Sequence, residues 1–323
     1  ALSRIREYVV SLYQVGMREW DSSNYHGHAL SSWHNLYDFA RDAEVRGLAK
    51  ACLDSLYAMA AWKYRRGTFG GPQLRDYGGS TVPFGGNAIH ALELYFGASP
   101  LADPAPDRDD VHHATSGYRP PRAVVHLARK GFPVPVETTS SKPPYRLWAP
   151  NGPMEPAYRE TQFVGAAFQM GTLVSERPEQ AWNPSVFSLM VDDPGRGTVH
   201  ASWMVAPPWE HQSKRAGDQV AQFRNRVVWL RPAGPGSSFF LQLPADAQWS
   251  IATIPWRIDV RSVSVFVWPL QLGAARMVAW QAITPPPPPW LSTTKPWPSS
   301  LPQRSVTVRP TMSLPPPAAT GTM

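Results

Sequence analysis

With 323 residues, 43% of them hydrophobic and 11% aromatic, the chain has room for one large or two ordinary domains around a packed core. The formal charge of +7 does not mark a nucleic-acid binder: five of the 31 basic and none of the 24 acidic residues follow Asp259, leaving 26 against 24 before it and no clustered basic face. No 18-residue apolar run exists to span a membrane, and the lone Cys52 excludes an internal disulfide and any multi-cysteine zinc site.

Leu2, Ile5, Val9, Leu12, Tyr13 and Gly16 recur at helical spacing, which predicts a first helix of about four turns ending near Trp20. It is amphipathic rather than signal-like and shows no cleavage pattern. Asp21, Ser22 and Ser23 suit the start of a second helix, along which Leu30, Trp33, Tyr37 and Ala40 form an apolar stripe. A third helix is capped by Asp42, with Glu44 at its positive end. Its stripe runs through Val45, Leu48, Ala49, Cys52, Leu53, Leu56, Tyr57 and Ala60, and Gly67 is read as its stop. The short join predicts an αα-hairpin, and Cys52 on the stripe reads as a buried, inert thiol.

A loop with seven Gly between Gly67 and Gly86 follows. It lacks phosphate-loop spacing, and a long loop carrying Arg75, Asp76 and Tyr77 reads as functional. Asn87 to Phe96 is a short helix stopped by Gly97, and Ser99 to Gly117 turns to Asp, Pro and Ala. Beyond it RAVVHLA, FPVPVE, TQFVGAAFQMGTLV, SVFSLMV, TVHASWMV, QVAQFRNRVVWL, SFFLQL and SVSVFVW read as short strands of an antiparallel sandwich. Past Thr284 the chain has twelve Pro in 39 residues, which suits neither helix nor sheet. The expected class is therefore α+β and multidomain. It comprises a helical region (1–98), a linker (99–117), a β-sandwich domain (118–284) and a disordered Pro-rich tail (285–323).

The densest chemistry lies at Asp21 to Arg41, DSSNYHGHALSSWHNLYDFAR. His26, His28, His34 and His90 lack the three- or four-residue spacing of helical metal ligation, so no cofactor is expected. A β-domain metal, with His112, His113 or His200, stays open. A glycoside hydrolase needs two carboxylates facing a cleft; Asp21, Asp38, Glu44, Asp76 and Glu93 are the candidates. β-Elimination on a uronate instead needs donors that neutralise the carboxylate, a base, and an acid for the leaving oxygen. Asn24, Tyr25 and His26 supply such groups at a helix start, Trp33 could stack a sugar ring, and Arg75 with Tyr77 could complete the pocket. A non-catalytic glycan-binding or structural protein is the remaining alternative.

SSNYHGHALSSWHNLYDFARDAEVRGLAKACLDSLYA followed by GTFGGPQLRDY resembles bacterial heparinase-like and alginate-lyase-like polysaccharide lyases. TQFVGAAFQMGTLV, QFRNRVVWL and SVFVWPL carry the likeness through the second half, over roughly residues 1–280. The resemblance implies an incomplete α/α toroid joined to an antiparallel β-sandwich, with an acidic polysaccharide bound between them and a secreted or periplasmic location. It implies catalytic roles for Asn24, Tyr25, His26 and Tyr77. His28, Trp33, Asn35 and Arg75 are the accompanying candidates for substrate binding.

Overall fold

A computed structural model describes residues 2–17, 19–22, 25–72, 88–97, 110–142, 158–175, 187–192, 202–205, 219–232, 239–244, 247–250, 252, 254–261, 263–272, 275–283 and 303–308. Helix α1 (Leu2–Val15) stops short of Trp20, because Gly16 takes φ +87° and its N–H closes on the Leu12 carbonyl at 2.9 Å. Helices α2 (Tyr25–Phe39) and α3 (Ala43–Lys63) are joined by residues 40–42. The Asp42 carboxylate accepts the Glu44 and Val45 N–H groups at 2.7 and 3.3 Å, so the predicted cap is the observed one. Ala49, Cys52, Leu53, Leu56, Tyr57 and Ala60 are fully buried. Each large apolar side chain there contributes about 1.5–3 kcal/mol. Burial pushes the Cys52 thiol up to about 12, which fits an inert core cysteine.

Gly67 does not stop α3. The helix ends at Lys63, and the chain turns through β1 (Tyr64–Arg65) and β2 (Thr68–Phe69). Arg66 and Gly67, at φ 43° and 79°, give that two-residue hairpin its tight turn. Helix α4 (Ala88–Phe96) ends where Gly97 donates to the Glu93 carbonyl at 2.8 Å, as predicted.

Two segments differ from expectation. Part of the supposed linker is helix α5 (Asp110–Thr115), and RAVVHLA is helix α6 (Arg122–Ala128) rather than a strand. Seven residues carry too little periodicity to separate the two forms. Packing against α3 decides it, with Val124, Val125 and Ala128 entering the helical core.

Strands β3 (Val136–Lys142), β4 (Tyr158–Val164), β5 (Phe168–Ser175), β6 (Phe187–Asp192) and β7 (Ser202–Val205) form a five-stranded antiparallel sheet in chain order. Next come β8 (Gln219–Phe223), β9 (Arg226–Pro232), β10 (Phe239–Pro244), β11 (Gln248–Ser250), β12 (Trp256–Val260), β13 (Val263–Leu272), β14 (Ala275–Ile283) and β15 (Gln303–Val308). Six of them form a second antiparallel sheet in the order β11-β12-β13-β14-β9-β8. Phe163, Met170 and Leu189 of the first sheet and Val227, Trp229 and Val265 of the second share one buried cluster.

Alternation along each strand sends neighbouring side chains to opposite faces. The other face of the five-stranded sheet is buried too, through Tyr158, Glu160, Gln162, Gln169 and Asp192, and it meets the helical region. β6 is buried at every position because both of its faces are covered. The sequence-based tail also needs correction: β15, a Pro-free window, pairs antiparallel with β10 from Phe239↔Val308 to Pro244↔Gln303. The rest of 285–323 lies outside the described residues. The chain thus combines helices with antiparallel sheets in an α+β arrangement. No described helix is long and apolar enough to cross a membrane.

Candidate functional site

The second helix begins at a seam between helices and sheet. Trp20, just ahead of it, is buried against Tyr158 and Leu173, with its ring edge-on to Tyr158 at 5.7 Å. Asp21 follows in the left-handed region at φ 56°, a conformation Asp tolerates better than most residues. Its Oδ2 accepts Lys63 Nζ at 2.7 Å and Lys142 Nζ at 3.1 Å. Glu160 completes the group, with Oε1 at 2.8 Å from Lys63 and Oε2 at 3.3 Å from Lys142. Two acidic and two basic groups, drawn from the lead-in to α2, the end of α3, β3 and β4, therefore balance inside the protein. Both ammonium groups also lie over the Trp20 ring, at 5.7 and 5.9 Å.

Burial alone would raise the Asp21 carboxyl, but Lys142 and Lys63 reverse that and hold it well below the usual carboxylate range. Burial would likewise lower Lys142, and Asp21 with Glu160 raises it instead. Lys63 further donates to the Pro72 carbonyl at 2.5 Å, and Gln162 donates to Glu160 Oε1 at 2.6 Å. Gly71 is needed here. At φ +106°, a Cβ would lie 2.7 Å from Gln162 Nε2 and 3.3 Å from Lys63 Cδ.

Tyr25 opens α2 half-buried. Its N–H donates to Ser22 Oγ at 3.3 Å, and its ring meets His28 edge-on at 6.0 Å. His28 is half-buried as well. His26 is fully buried against the Phe69 ring at 5.4 Å. Burial lowers it to about 4, against the opposing charge of Asp21, so the ring is neutral near pH 7. The Leu56 backbone approaches it, but neither ring nitrogen has a fully formed hydrogen bond. A ring so enclosed does not touch a polymer, which corrects the direct chemical role expected for His26. Trp33 is corrected too: it is buried in the helical core against Tyr8, not offered to a sugar. Asn35 Oδ1 pairs with His112 Nδ1 at 3.0 Å, which gives it a bridging role to α5. Asn24, Arg75 and Tyr77 lie outside the described residues.

The carboxylates proposed for a hydrolase are engaged elsewhere. Asp21 belongs to the buried quartet, and Asp38 accepts the Gly117 N–H at 3.0 Å. Glu44 receives Arg6 at 2.5 Å. Glu93 accepts the Tyr64 hydroxyl, and burial raises its pKa. Asp76 is outside the described residues.

Sequence reasoning missed two assemblies. The first is the quartet; its legible sign was Lys63, which continues the apolar stripe of Leu56 and Ala60 at helical spacing. The second gathers around His34, which is fully buried, with Ser116 Oγ at 2.8 Å from Nδ1 and the Tyr57 hydroxyl at 2.9 Å from Nε2. Tyr95, His113 and Tyr118 ring it at 6.1, 5.1 and 5.4 Å. His113 reaches Ser31 Oγ at 3.3 Å. His112 and His113 thus serve the helical region and not a β-domain metal; His200 is outside the described residues. Among the described residues, no three His, Cys, Asp or Glu side chains gather as metal ligands.

No family model matches the chain, and neither a curated protein nor a solved structure matches it.

Proposed function

We propose that this chain is a carbohydrate-active enzyme, a lyase that cleaves a uronate-containing polysaccharide by β-elimination. In this reading the helices are part of an incomplete α/α toroid, the sheets form a β-sandwich, and the polymer binds along the seam between them. The observation that carries it is Tyr25. The residue opens α2 at that seam, half-buried against the helical core, behind a lead-in that the neutral quartet pins to the sheet.

The required chemistry assigns the roles. The α-proton of the uronate passes to a base as the β C–O bond breaks, a C=C bond forms, and the departing oxygen takes a proton. Tyr25 and Tyr77 are the proposed acid and base, and Asn24 and Arg75 the donors that neutralise the carboxylate. His26, packed on Phe69 in the first turn, becomes a positioning residue, and His28 a polar group beside Tyr25. The hydrolase alternative has less support, because Asp21, Asp38, Glu44 and Glu93 are all held in structural contacts.

The test is to mix the protein with alginate, glucuronan, heparin and pectin and follow ultraviolet absorbance from the unsaturated product. A rise on one polymer supports the reading. Reducing sugar released from a neutral glycan, with no rise on any uronate polymer, sinks it.

A further inference from the structure

A concavity lies away from the seam, where α4, α5 and α6 converge. It has a volume of about 310 Å³ and is lined by Leu94, Tyr95, His113, Ala114, Arg119, Pro120 and Val125. That is the low end of ligand-pocket sizes, about 300–1,000 Å³, with room for one ring and not for a polymer. Leu94, Ala114, Pro120 and Val125 supply its apolar part, and polar groups make up nearly as much of the lining. None of its lining residues belongs to the quartet or to the first turn of α2.

Arg119 is the one Lys or Arg in the lining, and no carboxylate shares it. Its Nη1 is anchored twice, to the Ser116 carbonyl at 2.8 Å and the Tyr118 carbonyl at 2.6 Å. The guanidinium lies over the Tyr95 ring at 5.8 Å and faces the Tyr95 hydroxyl. That hydroxyl is itself fixed, donating to the His113 carbonyl at 2.9 Å. Of the five guanidinium N–H donors, the two carbonyls and the Tyr95 oxygen account for three among the described residues. The donors that remain belong to an exposed guanidinium held in place by backbone and ring within the pocket lining. A carboxylate matches a guanidinium, and a small apolar body matches Leu94, Pro120 and Val125.

We propose that this pocket binds a small carboxylate with a single-ring or similarly sized apolar body, Arg119 taking the carboxylate and Leu94, Pro120 and Val125 the body. The site is independent of the lyase reading, and its test involves no polymer and no turnover.

The experiment is calorimetric titration of the full chain with benzoate, and with benzamide as its neutral isostere, while the His113 ring resonances are followed by NMR. Benzoate is expected to bind with a Kd on the order of 1 mM, shift the His113 signals, and bind at least ~10-fold tighter than benzamide. Arg119→Gln should abolish that preference. Arg119→Lys should retain only part of it, because a point charge lacks the paired donors. Leu94→Trp, made at an exposed rim position, should block both ligands while leaving Arg119 in place. If Arg119→Gln fails to fold, as judged by circular dichroism, the Leu94→Trp result and the benzoate–benzamide ratio decide. Equal affinity for the two ligands, benzoate binding unchanged in Leu94→Trp, or no benzoate binding at millimolar concentration would overturn the proposal.

Discussion

Replacing Lys63 by Met removes one ammonium from a largely buried group, with Lys63, Asp21, Glu160 and Lys142 side chains only 2%, 1%, 1% and 13% exposed. Among the described residues, Asp21 and Glu160 then keep Lys142 as their one cationic partner, at 3.1 and 3.3 Å, and the Pro72 carbonyl loses the Lys63 donor. Breaking a buried pair from one side costs about 3–5 kcal/mol, because the remaining charge stays buried without its partner. With an m-value of about 3 kcal/mol/M, the urea midpoint should fall by roughly 1–1.7 M. The decisive comparison is the double variant Lys63→Met/Glu160→Gln. The amide oxygen introduced in place of the Glu160 carboxylate can still accept from Gln162, and Asp21 and Lys142 remain as a balanced pair. Its loss should fall about 2 kcal/mol short of the sum of the single losses. Urea titration followed by far-ultraviolet circular dichroism measures all three variants. A Lys63→Met loss within about 0.5 kcal/mol, typical of a surface pair, or simple additivity in the double variant, would mean that the four groups do not form a largely buried, mutually balanced unit.

Two further outcomes follow from the same seam and the helical core. Arg65 forks onto Asp192 at 2.7 and 2.9 Å and also donates to the Gly165 and Ala166 carbonyls at 3.2 and 2.8 Å. Arg65→Lys keeps the charge but cannot make that pattern, so a loss of about 2–3 kcal/mol is expected in thermal melts; an unchanged melting temperature contradicts it. Burial lowers both His26 and His34 from 6.5 to about 4. As pH falls through 6.5 the unfolded chain takes up protons that the folded rings refuse, so this stability is present above 6.5 and declines towards pH 4. Each ring accounts for up to roughly 3 kcal/mol. His34→Gln should therefore flatten the stability slope between pH 6.5 and 4 by about one proton; an unchanged slope means that His34 is not held neutral.

The helical half was largely legible where one periodic face dominates. The α3 stripe predicts its own core, and Asp42 announces the cap. The misses have local causes. Gly67 looks like a helix stop, but the chain leaves the helix at Lys63, where the ammonium is drawn to Asp21 and Glu160. Those partners lie 42 residues before and 97 residues after it in sequence, a pairing no local pattern reports. RAVVHLA is too short to declare its period, and its contact with α3 settles it. In the candidate site, the first turns of α2 stand out in the sequence, but local pattern cannot rank their members. Tyr25, His26 and Trp33 look alike as aromatic groups on a polar helix, yet one is half-exposed and two are buried. The His34 cluster was hidden because His113 and Ser116 sit in a stretch whose Asp, Pro and Ala content reads as linker.

If the first turn of α2 performs β-elimination at the helix–sheet seam, the Tyr25 hydroxyl is the group whose removal should matter most. Wild type and Tyr25→Phe are therefore compared for ultraviolet-absorbing product on the uronate polymer panel, with both proteins shown to share one melting temperature. Product is expected from wild type, with a loss of at least ~100-fold in rate for Tyr25→Phe. Equal rates in the two proteins, or no product from wild type on any uronate polymer, would overturn the proposed elimination chemistry.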